Sequence, residues 1–175
     1  QEVSAWGGNM SVQQIVQNPD GALSLAPVSA VREAFDQRRE LLVPGTACVI
    51  QAGSRYTFTE VFTAYEKYLI CGEFRFTGDG SFGLALDYNK NEESYKLISV
   101  EPRDGCIRLA FNEGSSVIAE TAVTLEKNRD YAFTYVQEGS IGVFYIDGKA
   151  ALTVRVYGVT GKHVRLFAES NTVTF

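Results

Sequence analysis

Apolar and polar residues alternate with a period of two along most of this sequence, and that period is the strongest constraint on its fold. The runs at residues 82–88 (FGLALDY) and 131–136 (YAFTYV) place a large apolar or aromatic side chain at every second position. Only an extended strand turns successive side chains to opposite faces, so each run predicts a β-strand with one buried face. The expected core residues in these runs are Phe82, Leu84, Leu86, Tyr131, Phe133 and Tyr135.

Short runs of this kind recur at intervals of about 8–12 residues, with clusters of turn-forming residues between them. Such clusters lie at residues 77–80 (TGDG), 102–105 (PRDG) and 147–148 (DG). These connections are too short to contain crossover helices, so the strands must pair mostly antiparallel. The pattern predicts an all-β sandwich or barrel.

The segment at residues 28–40 (VSAVREAFDQRRE) departs from the period of two. Val28, Val31, Ala34 and Phe35 share one helical stripe, and Ser29 is placed to cap the helix. We therefore expect one short helix there. It would follow an N-terminal strand pair near residues 11–17 and 22–27, joined by the turn residues 18–21 (NPDG).

A hairpin at residues 140–157 is the most sharply specified local element. Asp147-Gly148 suits a two-residue type I′ turn, which fixes the register of the two strands. In that register Tyr145 faces Ala150, Val143 faces Leu152 and Ile141 faces Val154, and all six would lie on the core face. The opposite face is half apolar, so we expect something to cover it as well.

The acidic charge of the chain bears on which partners it can bind. The net charge is −5 and the pI about 5.0, so phosphate backbones would be repelled and nucleic-acid binding is not expected. No apolar stretch approaches the roughly 18 residues of a membrane span.

The chain begins QEVSAWGGN with neither an initiator Met nor a signal peptide, so we expect it to be a segment of a longer protein.

The three cysteines, Cys48, Cys71 and Cys106, are widely spaced, and we expect three free thiols. This favours a reducing compartment such as the cytoplasm, although the strands carrying Cys71 and Cys106 could be neighbours. One histidine and no C-x-x-C pair do not make a zinc site, and no loop carries the oxygen ligands of a calcium site. We expect neither a metal nor a cofactor.

Catalytic groups are sparse. The single histidine, His163, follows Gly161-Lys162 and is interpreted as a surface turn residue, so a nucleophile would lack its base. Glycosidases need two carboxylates across a sugar site, and the acidic residues here fall in turns or at strand ends. The sequence contains 11 Phe, 9 Tyr and 1 Trp, which permits a sugar-stacking platform. The aromatic residues that we do not assign to the core are Trp6, Tyr56, Tyr65, Tyr88 and Tyr157.

The order of several segments resembles the C-terminal β-sandwich of glycoside hydrolase family 32, which contains invertases, levanases, inulinases and sucrose-6-phosphate hydrolases. The similar segments are WGGNMSV at residues 6–12, ALSLAPV at 22–28, SIGVFYIDGKAALTVRVY at 140–157 and VRLFAE at 164–169. The chain departs from the family at three places: the family's Pro-Arg-Glu after Met-Ser is Gln13-Gln14-Ile15 here, its hairpin glutamate is Gly142, and its turn asparagine is Ile146. The loss of that glutamate removes a neighbour expected for Arg155 across the hairpin.

The resemblance implies a two-sheet antiparallel β-sandwich of the concanavalin-like jelly-roll kind. It also implies a segment at residues 1–40 that ends a catalytic propeller and leads into the sandwich at residues 41–175. The family's catalytic carboxylates lie in that propeller, so none is assigned to this chain. The expected role is to pack against and stabilise the propeller of the same protein, through the apolar residues Trp6, Met10, Val12, Val31 and Phe35.

Two other interpretations belong to different classes. An autonomous carbohydrate-binding, lectin-like module would stack sugars on exposed tyrosines, with Tyr56, Tyr65, Tyr88 and Tyr157 as candidates. An independent hydrolase ranks last, because a positioned acid–base pair is missing. An apolar surface near the N-terminus, left exposed, would also lead the isolated chain to form homo-oligomers.

Overall fold

The computed structural model describes residues 11–43, 45–63, 65, 67–89, 94–112, 116–156 and 163–175, and of residues 60–62, 87–89 and 94 it describes the backbone. In these residues there is one helix, α1 (Ser29–Glu33), and there are fourteen strands. The strands are β1 (Gln13–Gln17), β2 (Leu23–Pro27), β3 (Val49–Ala52), β4 (Thr57–Thr63), β5 (Lys67–Phe76), β6 (Phe82–Asn89), β7 (Ser94–Glu101), β8 (Cys106–Phe111), β9 (Ser116–Ala122), β10 (Tyr131–Glu138), β11 (Ile141–Ile146), β12 (Ala150–Arg155), β13 (His163–Ala168) and β14 (Asn171–Thr174).

Twelve of these strands form two sheets of six strands each, and every described pairing within them is antiparallel. Sheet I has the order β4-β13-β6-β7-β8-β9, and sheet II has the order β12-β11-β10-β5-β14-β3. The predicted all-β, two-sheet antiparallel sandwich is therefore confirmed. The five residues of α1 fall far short of a bilayer's thickness, and the described part of the chain holds no other helix.

The core between the sheets is built from the residues that the period of two selects. Phe82, Leu84 and Leu86 of β6 are buried in it, opposite aromatic rings of sheet II. The Phe74 and Phe82 rings meet edge to face with centroids 5.0 Å apart. Burial of each such side chain contributes about 1.5–3 kcal/mol, so the shared core is the main stabilising element. Tyr131, Phe133 and Tyr135 also belong to this core, as predicted.

The N-terminal strand pair forms as predicted. β1 and β2 make an antiparallel hairpin, and Asn18 donates its N–H to the Ala22 carbonyl at 2.8 Å to close the turn. Gly21 adopts a φ of +86°, which a glycine tolerates without strain. This hairpin lies against β11 and β12, on the outer face of sheet II.

The helix is much shorter than predicted. It covers Ser29–Glu33 rather than residues 28–40, its N-cap is Val28, and the predicted Ser29 cap is therefore wrong. Val31 and Phe35 are only half-buried, and residues 36–40 are all exposed polar groups. Since a short helix depends on tertiary burial rather than on propensity, and α1 has no buried residue, little holds it beyond Glu33, although Ala34 and Phe35 continue its apolar stripe.

The hairpin between β11 and β12 also departs from its prediction, by one residue of register. Ile146 pairs with Ala150, so the connection has three residues, and Lys149 donates its N–H to the Ile146 carbonyl at 3.0 Å. Gly148 has a φ of +67°, whereas Asp147 is not at positive φ. A type I′ turn needs positive φ at both central residues, so the two-residue turn does not form.

The one-residue shift exchanges the faces of β11. Gly142, Phe144 and Ile146 face the core, whereas Val143 and Tyr145 lie on the outer face of sheet II, contrary to the prediction. Both are nevertheless buried. The predicted cover of a second, half-apolar face is therefore confirmed, and the N-terminal hairpin and α1 supply it.

Three hydrogen bonds hold this cover in place. The Gln13 side-chain amide donates to Thr153 Oγ1 at 2.6 Å, and the Asn18 amide donates to the Gly148 carbonyl at 3.0 Å. The Arg32 guanidinium donates to Thr134 Oγ1 at 3.2 Å. Because these bonds span from 102 to 140 residues of sequence, they fix the N-terminal hairpin to the sandwich.

Gly142 occupies a crowded position, where a side chain would force its neighbours to shift. A Cβ there would lie 2.7 Å from the Tyr135 hydroxyl, which donates to Gln137 Oε1 at 2.8 Å inside the core. The glutamate found at this position in the resembled family would therefore collide with Tyr135. Arg155 does not lose a partner at this point, because it pairs with Ile141 rather than with Gly142.

We expect Gly142→Ala to lower the free energy of unfolding by about 1–3 kcal/mol, the usual effect of overpacking a core. In a Tyr135→Phe background most of that loss should disappear, because the colliding hydroxyl is gone. Gly53→Ala is the matched control, since a Cβ there meets nothing within 4 Å. Urea unfolding curves measure all four variants. An equal loss in both backgrounds would contradict this explanation of Gly142.

The three cysteines are free thiols in different environments. Cys71 of β5 is exposed, Cys48 is half-buried and Cys106 of β8 is buried. Since β5 and β8 belong to different sheets, the idea that Cys71 and Cys106 lie on neighbouring strands is wrong. Burial raises the pKa of the Cys106 thiol, and the nearby Arg108 only partly opposes this. The thiolate is the reactive form, so Cys106 should be inert in the folded protein.

Titration with a thiol reagent tests this order of reactivity. In the folded protein Cys71 should react first and Cys106 last, and Cys71→Ser should remove the fastest phase. In denaturant without reductant the count should be three. A count of one would reveal a disulfide and an oxidising environment.

Candidate functional site

The outer face of sheet I is not covered by any described helix or strand, and it has two halves of different chemistry. Side chains that alternate with the core residues of β6, β7, β8 and β13 point to this face. In one half, Ala85, Leu97 and Phe167 are almost completely buried under rings from flanking strands. In the other half, hydroxyl and charged groups gather.

The apolar half is a small second core. Phe58 of β4 and Tyr95 of β7 meet edge to face with ring centroids 5.4 Å apart. Their strands are three positions apart in sheet I, roughly 14 Å at the usual strand spacing. The two rings therefore lean toward each other over β13 and β6, which buries Ala85 beneath them. This half of the face is closed.

The polar half is organised around Glu101 at the end of β7. Ser81 Oγ donates to Glu101 Oε2 at 2.5 Å, and Ser99 Oγ donates to Oε1 at 2.5 Å. Both serines are buried, so these bonds fix the orientation of the carboxylate. Each carboxylate oxygen has more than one acceptor site, so Glu101 can accept further hydrogen bonds.

Arg108 of β8 lies directly across from Ser99 in the strand register. It donates from Nε to Glu120 at 3.0 Å and from Nη1 to Asp104 at 2.6 Å. These bonds, that to Glu120 foremost, raise the pKa of Arg108. Its side chain is 27% exposed, and a guanidinium has five N–H donors, more than these two bonds use.

Gly83 forms the floor between the two halves. In the register of sheet I it pairs with Phe167 on one side and with Ser99 on the other. Its φ is +152°, and a Cβ there would lie 2.1 Å from the Ile98 carbonyl oxygen. A glycine is therefore required here, and it is buried, as are Ser81 and Ser99. We name the cluster of Ser81, Gly83, Ser99, Glu101 and Arg108, in which Glu101 and Arg108 are half-buried, the polar groove.

The predicted sugar-contacting tyrosines do not converge on one place. Tyr56 is half-buried and packs on Phe167 with ring centroids 5.5 Å apart, so it stands at the aromatic side of the polar groove. Tyr65 is 58% exposed and lies under the Arg39 guanidinium at 5.4 Å, apart from the groove residues. The Tyr88 side chain and Tyr157 lie outside the described residues.

The predicted interface residues fall near the N-terminal hairpin. Val12 is exposed, Val31 and Phe35 are half-buried, and Trp6 and Met10 lie outside the described residues. The structure adds Ile15 of β1 and Leu23 of β2, which are 68% and 67% exposed. We name Val12, Ile15 and Leu23 the hairpin patch.

Sequence reasoning missed Glu101, Arg108 and the two serines, because it classed acidic residues by their place in turns and at strand ends. The alternation itself would have found Ser99 and Glu101, which are two residues apart on β7 and so share a face. His163 is exposed, as predicted, but it is the first residue of β13 rather than a turn residue. Among the described residues no three His, Cys, Asp or Glu side chains are grouped as metal ligands.

No family model and no curated protein matches this sequence. Solved structures do match. The carbohydrate-binding module CBM66 from Bacillus subtilis has a TM-score of 0.64 and 17% identity, over 73% of this chain and 81% of that module. An exo-inulinase from Aspergillus awamori has a TM-score of 0.61 and 15% identity, over 93% of this chain and 34% of the enzyme.

The sucrose-6-phosphate hydrolase from Lactobacillus gasseri has a TM-score of 0.56 and 18% identity, over 93% of this chain and 31% of the enzyme. The chain thus spans about a third of these two enzyme chains. Inulinases and sucrose-6-phosphate hydrolases are among the enzymes that the sequence resemblance named. The resemblance is confirmed at the level of fold: this chain shares its β-sandwich with CBM66 and with one part of these longer enzymes.

Proposed function

We propose that this chain is the non-catalytic C-terminal β-sandwich module of a longer enzyme of the glycoside hydrolase family 32 type, acting on fructosyl-containing sugars. The observation that carries the proposal is the unequal coverage of the structural matches. Nearly the whole chain, 93%, matches inside enzymes of which it spans 31–34%. In such a protein the larger part would contain the catalytic propeller, and the sandwich would pack against it and stabilise it.

The hairpin patch supports a packing role. Its three side chains are more than half exposed, although the hairpin that carries them is hydrogen-bonded to sheet II at Gln13 and Asn18. A rigidly held, exposed apolar surface is typical of a partner site. Interfaces between domains of one chain bury about 600–1,500 Å², enough to include the patch with Val31 and Phe35. The proposal also places Trp6 and Met10 at this interface. It puts the boundary between the segment that ends the propeller and the sandwich between residues 40 and 41.

The groups of the polar groove support a non-catalytic role. Glycoside hydrolysis needs one carboxyl group of raised pKa and a second carboxylate opposite it. Here Glu101 accepts from two serine hydroxyls, whereas Asp104 and Glu120 both accept from Arg108. All three carboxylates are thus engaged by groups of the chain itself.

We expect this chain alone to release no reducing sugar from sucrose, inulin or levan above a buffer blank. The longer polypeptide encoded by the same gene is the positive control. Release by the 175-residue chain that disappears in a Glu101→Gln variant would overturn the non-catalytic assignment.

The packing role is tested by the variants Ile15→Asp and Leu23→Asp, each made in the chain alone and in the longer polypeptide. In the chain alone both should be nearly neutral, within about 0.5 kcal/mol, because the side chains are exposed. In the longer polypeptide each should lower the melting midpoint by about 2–4 °C, the effect of losing roughly 1 kcal/mol. Gln14→Asp, at an exposed polar position of β1, is the matched control.

If the two Asp variants behave alike in both contexts, the hairpin patch does not contact the catalytic part. Self-association of the isolated chain, abolished by the same variants, would show that a second copy occupies the patch instead.

A second candidate function is carbohydrate binding, as in an autonomous lectin-like module. The observation that favours it is the match to CBM66, which is named a carbohydrate-binding module and is covered over 81% of its length. A direct test is calorimetric titration of the chain with soluble inulin and levan. A module that serves only for packing would give no binding heat.

A further inference from the structure

We propose that the polar groove on the outer face of sheet I binds a neutral saccharide, with Tyr56 as its aromatic wall. This inference rests on the second candidate function, carbohydrate binding, and names its site and its class of ligand.

The groove places acceptors and donors side by side. Glu101 is the last residue of β7, and Arg108 lies across from Ser99, two residues before it. The carboxylate has acceptor capacity beyond its two serine bonds, and the guanidinium has donors beyond its two carboxylate bonds. A sugar hydroxyl both donates and accepts, so adjacent hydroxyls on one ring can bond to the carboxylate and the guanidinium together.

Both charged groups are held before any ligand arrives. Ser81 and Ser99 fix Glu101, and Asp104 and Glu120 fix Arg108, all at 2.5–3.0 Å. Long side chains usually lose rotamer freedom on binding, which weakens surface sites. Here that freedom is already lost in the folded chain, so a weakly bonding ligand such as a sugar can be held.

The aromatic wall and the glycine floor complete the site. Tyr56 is supported from behind by Phe167 and is only half-buried, so part of its surface faces solvent. An apolar ring beside a few fixed polar groups is the usual composition of a small-molecule site. Gly83 is buried between Phe167 and Ser99, so a ligand would lie over it, against the half-buried Tyr56, Glu101 and Arg108.

The balance of charge selects the class of saccharide. Arg108 donates to two carboxylates, those of Asp104 and Glu120, and Glu101 adds a third, two residues beyond the Ser99 that lies across from Arg108. A phosphate or uronate on the sugar would approach a region of net negative charge and be repelled. The groove therefore suits neutral sugars.

The experiment is a calorimetric titration of the chain with neutral fructo-oligosaccharides of inulin and levan type, and with sucrose 6-phosphate as the anionic probe. We expect the neutral probes to bind and the phosphorylated one not to bind. Glu101→Gln, Arg108→Gln and Tyr56→Ala should each weaken binding by about tenfold or more, since a charged hydrogen bond or a ring contact is lost. Tyr65→Ala, an exposed aromatic position away from the groove, is the matched control and should bind as the wild type does.

Three results would overturn the proposal in whole or in part. Wild-type binding that the three groove variants leave unchanged would overturn the groove as the site, while carbohydrate binding itself would stand. No binding of the neutral probes at concentrations up to about 10 mM would overturn both. Tighter binding of sucrose 6-phosphate would overturn the neutral class.

If a groove variant fails to fold, NMR titration of the wild type replaces it. The backbone amides of Gly83, Ser99 and Arg108 should then shift with added ligand, and shifts confined to residues elsewhere would overturn the site.

Discussion

Each strand of this sandwich has two faces, and only one of them can reach the core between the sheets. Each sheet therefore has an outer face as well, and the two outer faces are covered in different ways. On sheet II the N-terminal hairpin and α1 cover Val143 and Tyr145, which would otherwise be exposed. On sheet I the Phe58 and Tyr95 rings close one half and leave the other half polar. The hairpin patch belongs to the layer that covers sheet II, and the polar groove is the polar half of the outer face of sheet I.

The alternation allowed most of the strands and the core residues of β6 and β10 to be predicted, because period two is a local property of the sequence. The register of the β11–β12 hairpin and the end of α1 were harder to predict. The β11–β12 register depends on whether Lys149 pairs with Ile146 or belongs to the turn, and Asp147-Gly148 alone does not decide between the two. The end of α1 depends on which residues find a packing surface, and that is decided by the sandwich rather than by residues 28–40.

The polar groove was hidden for a similar reason. Glu101, Asp104 and Arg108 come from the end of one strand, a turn and the next strand, and each alone is typical of a solvated position. Their relation appears only when β7 and β8 pair and bring Arg108 opposite Ser99. Ser81, twenty residues before Glu101, joins them through a contact that only the folded sheet makes. Tyr56 was a candidate from the sequence because an aromatic residue outside the alternation is conspicuous by itself, and its role in the groove stays a proposal.

The two proposed roles use opposite sides of the molecule. The hairpin patch belongs to the layer that covers sheet II, whereas the polar groove lies on sheet I, with the whole core between them. A domain that docks on the hairpin patch therefore leaves the groove open to solvent, and a saccharide in the groove does not compete with that domain. If both proposals hold, one sandwich would contact a catalytic partner on one side and a neutral sugar on the other, because the core uses only the inner face of each sheet.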